Sequence, residues 1–206
     1  MLRPLLIAAV LVVAAVPSPA QEAGSASATD FVRGKSDLIL TIVNQAAADD
    51  AALAQKREEL RAAIRDFLSY DVLSRRTLGD HWDQRTPTEQ QEFVGLLRDL
   101  IETSYSRKLG TGTVEQEQYL VDYVGERSRR DRTTVEATVT VEGEEHYLEI
   151  KLQAVDGNWI VYDLVTDDVS LEESYAESFE SIISDDGWDG LLNRMRERLE
   201  ELREEE

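Results

Sequence analysis

Apolar positions follow two regimes, recurring every three to four residues up to about Gly110 and every second residue from there to about Thr166. From Ser36, the residues Leu38, Ile39, Ile42, Val43 and Ala46 fall at helical spacing, and Ser36 with Asp37 offers a cap for the open amides of a first turn. A second helix is predicted from about Asp50, with Leu53, Leu60, Ile64, Phe67 and Leu68 along one side and Arg57, Glu58, Arg61 and Arg65 on the other. A further helix starts at Thr86-Pro87-Thr88-Glu89, where Thr86 caps, Pro87 fits the first helical position and Glu89 closes the box. Phe93, Leu96, Leu97, Leu100, Ile101 and Tyr105 form its stripe, and Gly110 is expected to end it.

After Thr113 the period becomes two. Tyr119, Val121 and Tyr123, then Val135, Ala137, Val139 and Val141, then Leu148, Ile150, Leu152 and Ala154 alternate with polar partners, and Trp159 to Val165 makes a fourth strand. Glu142-Gly143-Glu144 and Asp156-Gly157 supply turns. Such a meander has one polar and one apolar face, and the cover for the apolar face must come from helices before it and after Ser170. Helices, then strands, then helices indicate an α+β fold rather than an alternating parallel sheet. Leu191, Leu192, Met195, Leu199 and Leu202 in Gly190 to Glu206 have a heptad look, but cover too few heptads for a coiled coil and predict a docked terminal helix.

Residues 1–20 read as a secretory signal: Arg3, an apolar run from Leu5 to Val16, then Pro17-Ser18-Pro19-Ala20, with cleavage near Ala20. The run is shorter than the roughly 20 residues a bilayer span needs. The expected organisation is therefore a signal peptide (1–20), a flexible leader rich in Ala, Ser and Gly (21–35), and one domain (36–206) that is helical over 36–110, sheet over 114–166 and helical over 170–206.

The chain has no cysteine, so thiol chemistry is excluded and an exported fold must rest on its apolar core. Its net charge of −20 argues against nucleic acid, whose binding is driven by cations displacing counterions from phosphates, and disfavours adhesion to anionic lipid surfaces. Solubility, or a salt-rich habitat that screens the charge, accounts for most of the acids.

Catalytic constellations are lacking in the sequence. His81 and His146 have no second ligand at metal-binding spacing, there is no Gly-x-Ser-x-Gly elbow, and Leu109-Gly-Thr-Gly-Thr113 lacks the lysine of a phosphate loop. Asp167-Asp168 and Asp185-Asp186 lack spaced oxygen ligands and read as solvated acids. No enzyme activity, cofactor or metal is expected. Arg75 and Arg76 stand out between apolar helices in an acidic chain, either as ion-pair partners of Asp71 or Asp80 or as contacts for a phosphate or an acidic partner.

Three clusters carry a family resemblance: Phe67, Tyr70, Asp71, Arg76, Leu78, Gly79 and Trp82; then Thr86, Pro87, Glu89, Gln90, Phe93, Leu100, Tyr105 and Ser106; then Gly157, Trp159, Val161, Tyr162, Asp163, Val169, Ser170, Leu171, Tyr175 and Phe179. In this order and spacing, over about Ser36 to Leu192, the chain resembles the MlaC family of periplasmic phospholipid carriers, also called toluene-tolerance auxiliary proteins. The resemblance implies a nuclear-transport-factor-like arrangement, in which a curved, antiparallel, four-stranded sheet and helices enclose a deep apolar pocket for acyl chains. It further implies a phospholipid ligand, exchanged between an outer-membrane lipoprotein complex and an inner-membrane ABC transporter with its substrate-binding ring. A monomer is expected. The chain departs from the family pattern in its acidity and in a short Gln118 to Glu144 hairpin region. There Arg127, Arg129, Arg130 and Arg132 either face headgroups or the transporter or form a solvated turn.

On this reading the candidate lipid-lining residues are Leu97, Ile101 and Tyr105 of the long helix, Tyr119, Val121, Val139, Ile150, Leu152 and Tyr162 of the sheet, and Val169, Leu171 and Tyr175 after it. Arg75, Arg76, Arg129 and Arg130 are candidate headgroup or partner contacts. Each lining residue suits a filled core equally well. Two alternatives stay open: a small exported hydrolase of the same cone-shaped fold, using a carboxylate with His81 or His146, and a structural adaptor with a filled core.

Overall fold

The computed structural model describes residues 27–110, 119–141 and 143–204. The expected signal segment and its cleavage point, residues 21–26 of the leader, the turn after Gly110, Glu142 and the last two glutamates lie outside the described residues.

The order is α1 (Ala28–Val43), α2 (Asp50–Phe67), α3 (Tyr70–Leu78), a 3-10 helix (Gly79–Gln84), α4 (Pro87–Gly110), β1 (Leu120–Arg129), β2 (Arg132–Val141), β3 (Glu144–Val155), β4 (Asn158–Thr166), β5 (Val169–Ser170) and α5 (Leu171–Glu204). The strands form one antiparallel sheet in sequential order. The architecture is α+β, with the helices on the sheet's apolar face.

Three features differ from expectation. The first helix begins at Ala28 rather than near Ser36, so residues 28–35 of the expected leader are helical. Ser27 accepts the Asp30 N–H at 3.0 Å, and Ala28 and Val32 are fully buried. Small residues suggested a tether, yet small residues suit a helix lying close against a sheet. The connection between the second and third expected helices is itself helical: α3 buries Tyr70, Leu73, Ser74, Thr77 and Leu78, a stripe in which Ser74 and Thr77 stand where apolar residues would betray it. Finally, a two-residue fifth strand follows the expected four.

Other signals are realised as atomic contacts. The Thr86 N–H and hydroxyl both donate to Glu89 Oε2 at 2.7 Å and hold the Glu89 carboxyl below the usual carboxylate range, while the Glu89 N–H donates back to Thr86 Oγ1 at 3.3 Å. Thr86→Ala is expected to cost about 1 kcal/mol, read as a lower urea midpoint at unchanged slope. Asp156 (φ 50°) and Gly157 (φ 79°) make the tight turn between β3 and β4.

Two register shifts, at Tyr123/Gly125 in β1 and at Lys151/Leu152 against β4, bend the sheet into a concave wall. At Gly187 (φ 73°, ψ −174°) α5 kinks in a conformation that is essentially glycine's alone. Beyond it, Leu191, Leu192, Met195, Leu199 and Leu202 are buried, making the terminal segment a docked helix. Before the kink, Phe179 meets Phe93 of α4 edge-on at 5.3 Å.

Candidate functional site

The layers do not close completely. Between one end of the concave sheet face and helices α1, α2 and α4 lies a cavity of about 240 Å³. Its sheet wall is Tyr119, Val121, Tyr123, Val139, Leu148, Ile150, Leu164 and Thr166. Pairing puts Val121 opposite Val139, Leu148 opposite Thr166 and Ile150 opposite Leu164, so one face supplies the whole wall. The helical wall is Ser36, Ile39, Leu40 and Val43 of α1, Ile64, Phe67 and Leu68 at the end of α2, and Ile101, Tyr105 and Leu109 of α4, with Leu171 at the start of α5. Among the described residues only Ser36, Thr166 and three tyrosines bring polar atoms to this lining, and none of them is charged.

Polar contacts hold α1 against the sheet at both ends. Near its start, Thr29 donates its N–H and hydroxyl to Glu126 of β1, at 2.9 and 2.7 Å. Just past its end, Asn44 accepts the Tyr119 N–H at 3.0 Å. The ammonium of Lys56, buried and lowered in pKa by desolvation, donates at 2.8 Å to the carbonyls of both Val43 and Gln45, filling acceptors left open at the helix end.

A buried carboxylate fixes the opposite side. Asp163 of β4 is fully buried and accepts the Ser170 hydroxyl at 2.8 Å, the Glu172 N–H at 2.9 Å and the Lys151 ammonium at 2.9 Å. Ser170 Oγ in turn accepts the Glu173 N–H at 3.1 Å. Burial pulls the Lys151 pKa down, but its hydrogen bond and charge interaction with Asp163 outweigh that and leave it raised. These bonds satisfy the first amides of α5 and thereby place Leu171 and Tyr175.

Of the twelve residues expected to line a pocket, Ile101, Tyr105, Tyr119, Val121, Val139, Ile150 and Leu171 lie on the cavity. Leu97 and Leu152 sit farther along the same helix and strand stripes, where the space is filled and both are fully buried. Tyr162 is the extra residue at the β4 register shift. The bulge breaks the alternation there, and the ring is buried under the Arg76 guanidinium, 4.2 Å from its centroid. Val169, 63% exposed, and Tyr175 line a neighbouring groove instead.

The α1 and α2 contributions escaped the sequence reading. Ile39 and Val43 were visible as a helical stripe, but nothing in it showed that the helix would cross the sheet. Leu38, read as part of that stripe, is 54% exposed, while Leu40 points to the cavity.

The arginines singled out by sequence are elsewhere. Arg76 pairs with Glu172 at 2.6 Å, not with Asp71 or Asp80, and Arg75 lies over Trp82 at 5.5 Å. Arg129 and Arg130 occupy the β1–β2 turn, at the sheet end that pairs toward Gln153, away from Val139 and Leu148. Arg127 pairs with Glu136 and Glu149. Both histidines lie outside the cavity lining: His81 meets Glu180 at 2.9 Å, and His146 meets Asp167 at 2.8 Å. Asp167 and Asp168, both at positive φ, form the turn into β5, and Asp186 pairs with Arg194. No three His, Asp or Glu side chains gather as a metal site among the described residues.

A family model described as MlaC protein matches residues 33–197. The chain belongs to the MlaC family. Among solved structures, this MlaC-family chain is similar to the phospholipid-binding protein from Ralstonia solanacearum in complex with a phospholipid, with a TM-score of 0.75 and 22% identity. The likeness covers 86% of this chain and 99% of that one, which establishes a shared fold. No curated protein sequence matches the chain. Among the described residues, no helix is long and apolar enough to cross a membrane.

Proposed function

We propose that this chain is a periplasmic phospholipid carrier that takes lipid between an outer-membrane lipoprotein complex and an inner-membrane ABC transporter, with residues 1–20 directing export. The observation that carries the reading is the cavity: apolar on all described sides, uncharged, and partly open. A phospholipid exposes about thirty methylenes, and at roughly 0.8 kcal/mol each their hydration costs on the order of 20 kcal/mol. Free passage through water is therefore negligible, and a protein wall that hides the chains removes the barrier without any chemistry. Membership of the MlaC family and the fold shared with a phospholipid-binding protein support the same reading.

The energy for direction comes from the transporter.

Native mass spectrometry and an organic extract of the chain purified from the periplasm test this. An intact phospholipid bound to each chain is expected. A bare protein mass throughout would sink the carrier reading, and recovery of lysolipid or free fatty acid would favour the hydrolase.

A further inference from the structure

The β1–β2 turn gathers positive charge that the rest of the fold does not neutralise. Arg129 and Arg132 face each other as the last pair of that ladder, Arg130 and Asp131 form the turn between them, and all four are exposed. Among the described residues none of these three arginines has an ion-pair, hydrogen-bond or ring partner. Elsewhere the cations are matched: Arg65, Arg76, Arg127 and Lys151 each meet a carboxylate. The acids nearest along the strands are committed, Glu126 to Thr29 of α1, and Glu136 and Glu149 to Arg127. Three guanidinia at the tip therefore stand against the single carboxylate of Asp131.

This arrangement costs the fold stability. Like charges directly opposite one another in an antiparallel ladder repel. Arg130 adds a second cost, because its φ of 60° is the left-handed backbone that glycine or asparagine adopts more readily at the centre of a tight turn. No contact within the chain offsets either, so the stabilising partner is an anion outside it. Charges are screened beyond about 8 Å at physiological ionic strength, which lets the tip act on its own despite a net charge of −20.

The small size of the tip decides what kind of anion it fits. A stable protein interface takes about 800 Å² from each partner and an apolar core, whereas this tip offers four polar residues, and Val155 is the one large apolar side chain exposed at the same sheet end among the described residues. A bilayer surface needs no complementary relief, and its phosphates suit the guanidinium fork.

We propose that the β1–β2 turn docks the chain, tip first, on the anionic surface of a lipid bilayer. Val139, the β2 residue on the cavity, lies seven positions from Arg132, roughly 23 Å along a strand at 3.3 Å per residue. Docking therefore holds the cavity end off that surface. The contact does not depend on what the cavity carries, so it stands or falls apart from the carrier reading.

Cosedimentation of the mature chain with vesicles at low salt tests this, using phosphatidylcholine alone and an equimolar mixture with phosphatidylglycerol. An arginine near an anionic surface is worth about fivefold in partitioning, so three predict about a hundredfold preference for the mixed vesicles. The triple variant Arg129→Gln, Arg130→Gly, Arg132→Gln should lose that preference while its urea midpoint stays equal to or above that of the wild type, since both internal costs are removed. A second triple variant, Arg194→Gln, Arg196→Gln, Arg198→Gln, makes the same change in net charge on α5 and should bind as the wild type does. Equal wild-type partitioning to the two vesicles would overturn the proposal, as would an equal fall in both triple variants, which would show a general charge effect. Binding to native membranes that is abolished by prior protease treatment, with none to the mixed vesicles, would assign the tip to a protein and also overturn it.

Discussion

Val139→Trp and Ile150→Trp are expected to weaken phospholipid binding about a hundredfold without unfolding the chain. Both side chains point into the cavity from adjacent strands, β2 and β3. An indole in place of either aliphatic group takes up space worth three or four methylenes. At about 0.8 kcal/mol for each methylene denied burial, the loss is about 3 kcal/mol, or about a hundredfold in Kd. The added volume enters an existing void, so the overpacking that normally accompanies such a change is largely avoided. Ile150, 1% exposed, has less room than the half-buried Val139 and should show more strain. Thr138→Trp is the control, because a neighbour of opposite parity projects from the other face of the sheet. Displacement of a fluorescent phospholipid reads all three. If Val139→Trp and Thr138→Trp behave alike, the cavity is not where the chains go.

Removal of the Asp163 carboxylate is expected to have the largest effect on stability. Asp163→Ala strips the partner from Lys151 and leaves the Glu172 N–H and Ser170 hydroxyl without their acceptor, at a fully buried position. Breaking a buried ion pair from one side costs about 3–5 kcal/mol, a large share of the 5–15 kcal/mol that typically holds a domain folded. Asp163→Asn keeps the shape and one acceptor oxygen and should fall between. Urea denaturation of the two variants gives the ordering. A midpoint for Asp163→Ala within error of the wild type would show that the start of α5 is held by other means. Partial loss should also loosen Leu171 and Tyr175, which line the cavity and the groove, so lipid affinity should fall with stability in this variant.

Local signals in the sequence were read well where they are short-range. The Thr86 to Glu89 box, the Asp156-Gly157 turn and the alternation through Val135 to Val141 each depend on residues within a few positions, and each appears in the structure. The motif from Gly157 to Phe179 was visible as a pattern, but its physical content was not: Asp163, Ser170 and Glu172 meet only because β4 turns through Asp167 and Asp168 into the next helix. Helix α3 was missed because its buried face includes Ser74 and Thr77, and burial of small polar side chains leaves no mark on a hydrophobicity pattern. Tyr162 was misplaced because a bulge shifts parity by one residue, and the alternation rule assumes none.

What the chain's order of residues determined by itself was most of the menu of elements: α2, α4, the four long strands and the terminal helix, with the apolar face of each away from bulges, because these follow from spacing and from contacts a few residues apart. It also determined that thiol chemistry is impossible and that the surface is strongly acidic. Only the tertiary structure decided where the interior is filled and where it is hollow. Leu97 and Ile101, or Leu152 and Ile150, are the same kind of residue on the same stripe, and one of each pair is packed while the other faces a void. A void is the mismatch between layers that come from distant parts of the chain, bent by bulges and fixed in place by Lys56, Asn44 and Asp163, and no local pattern records that distance.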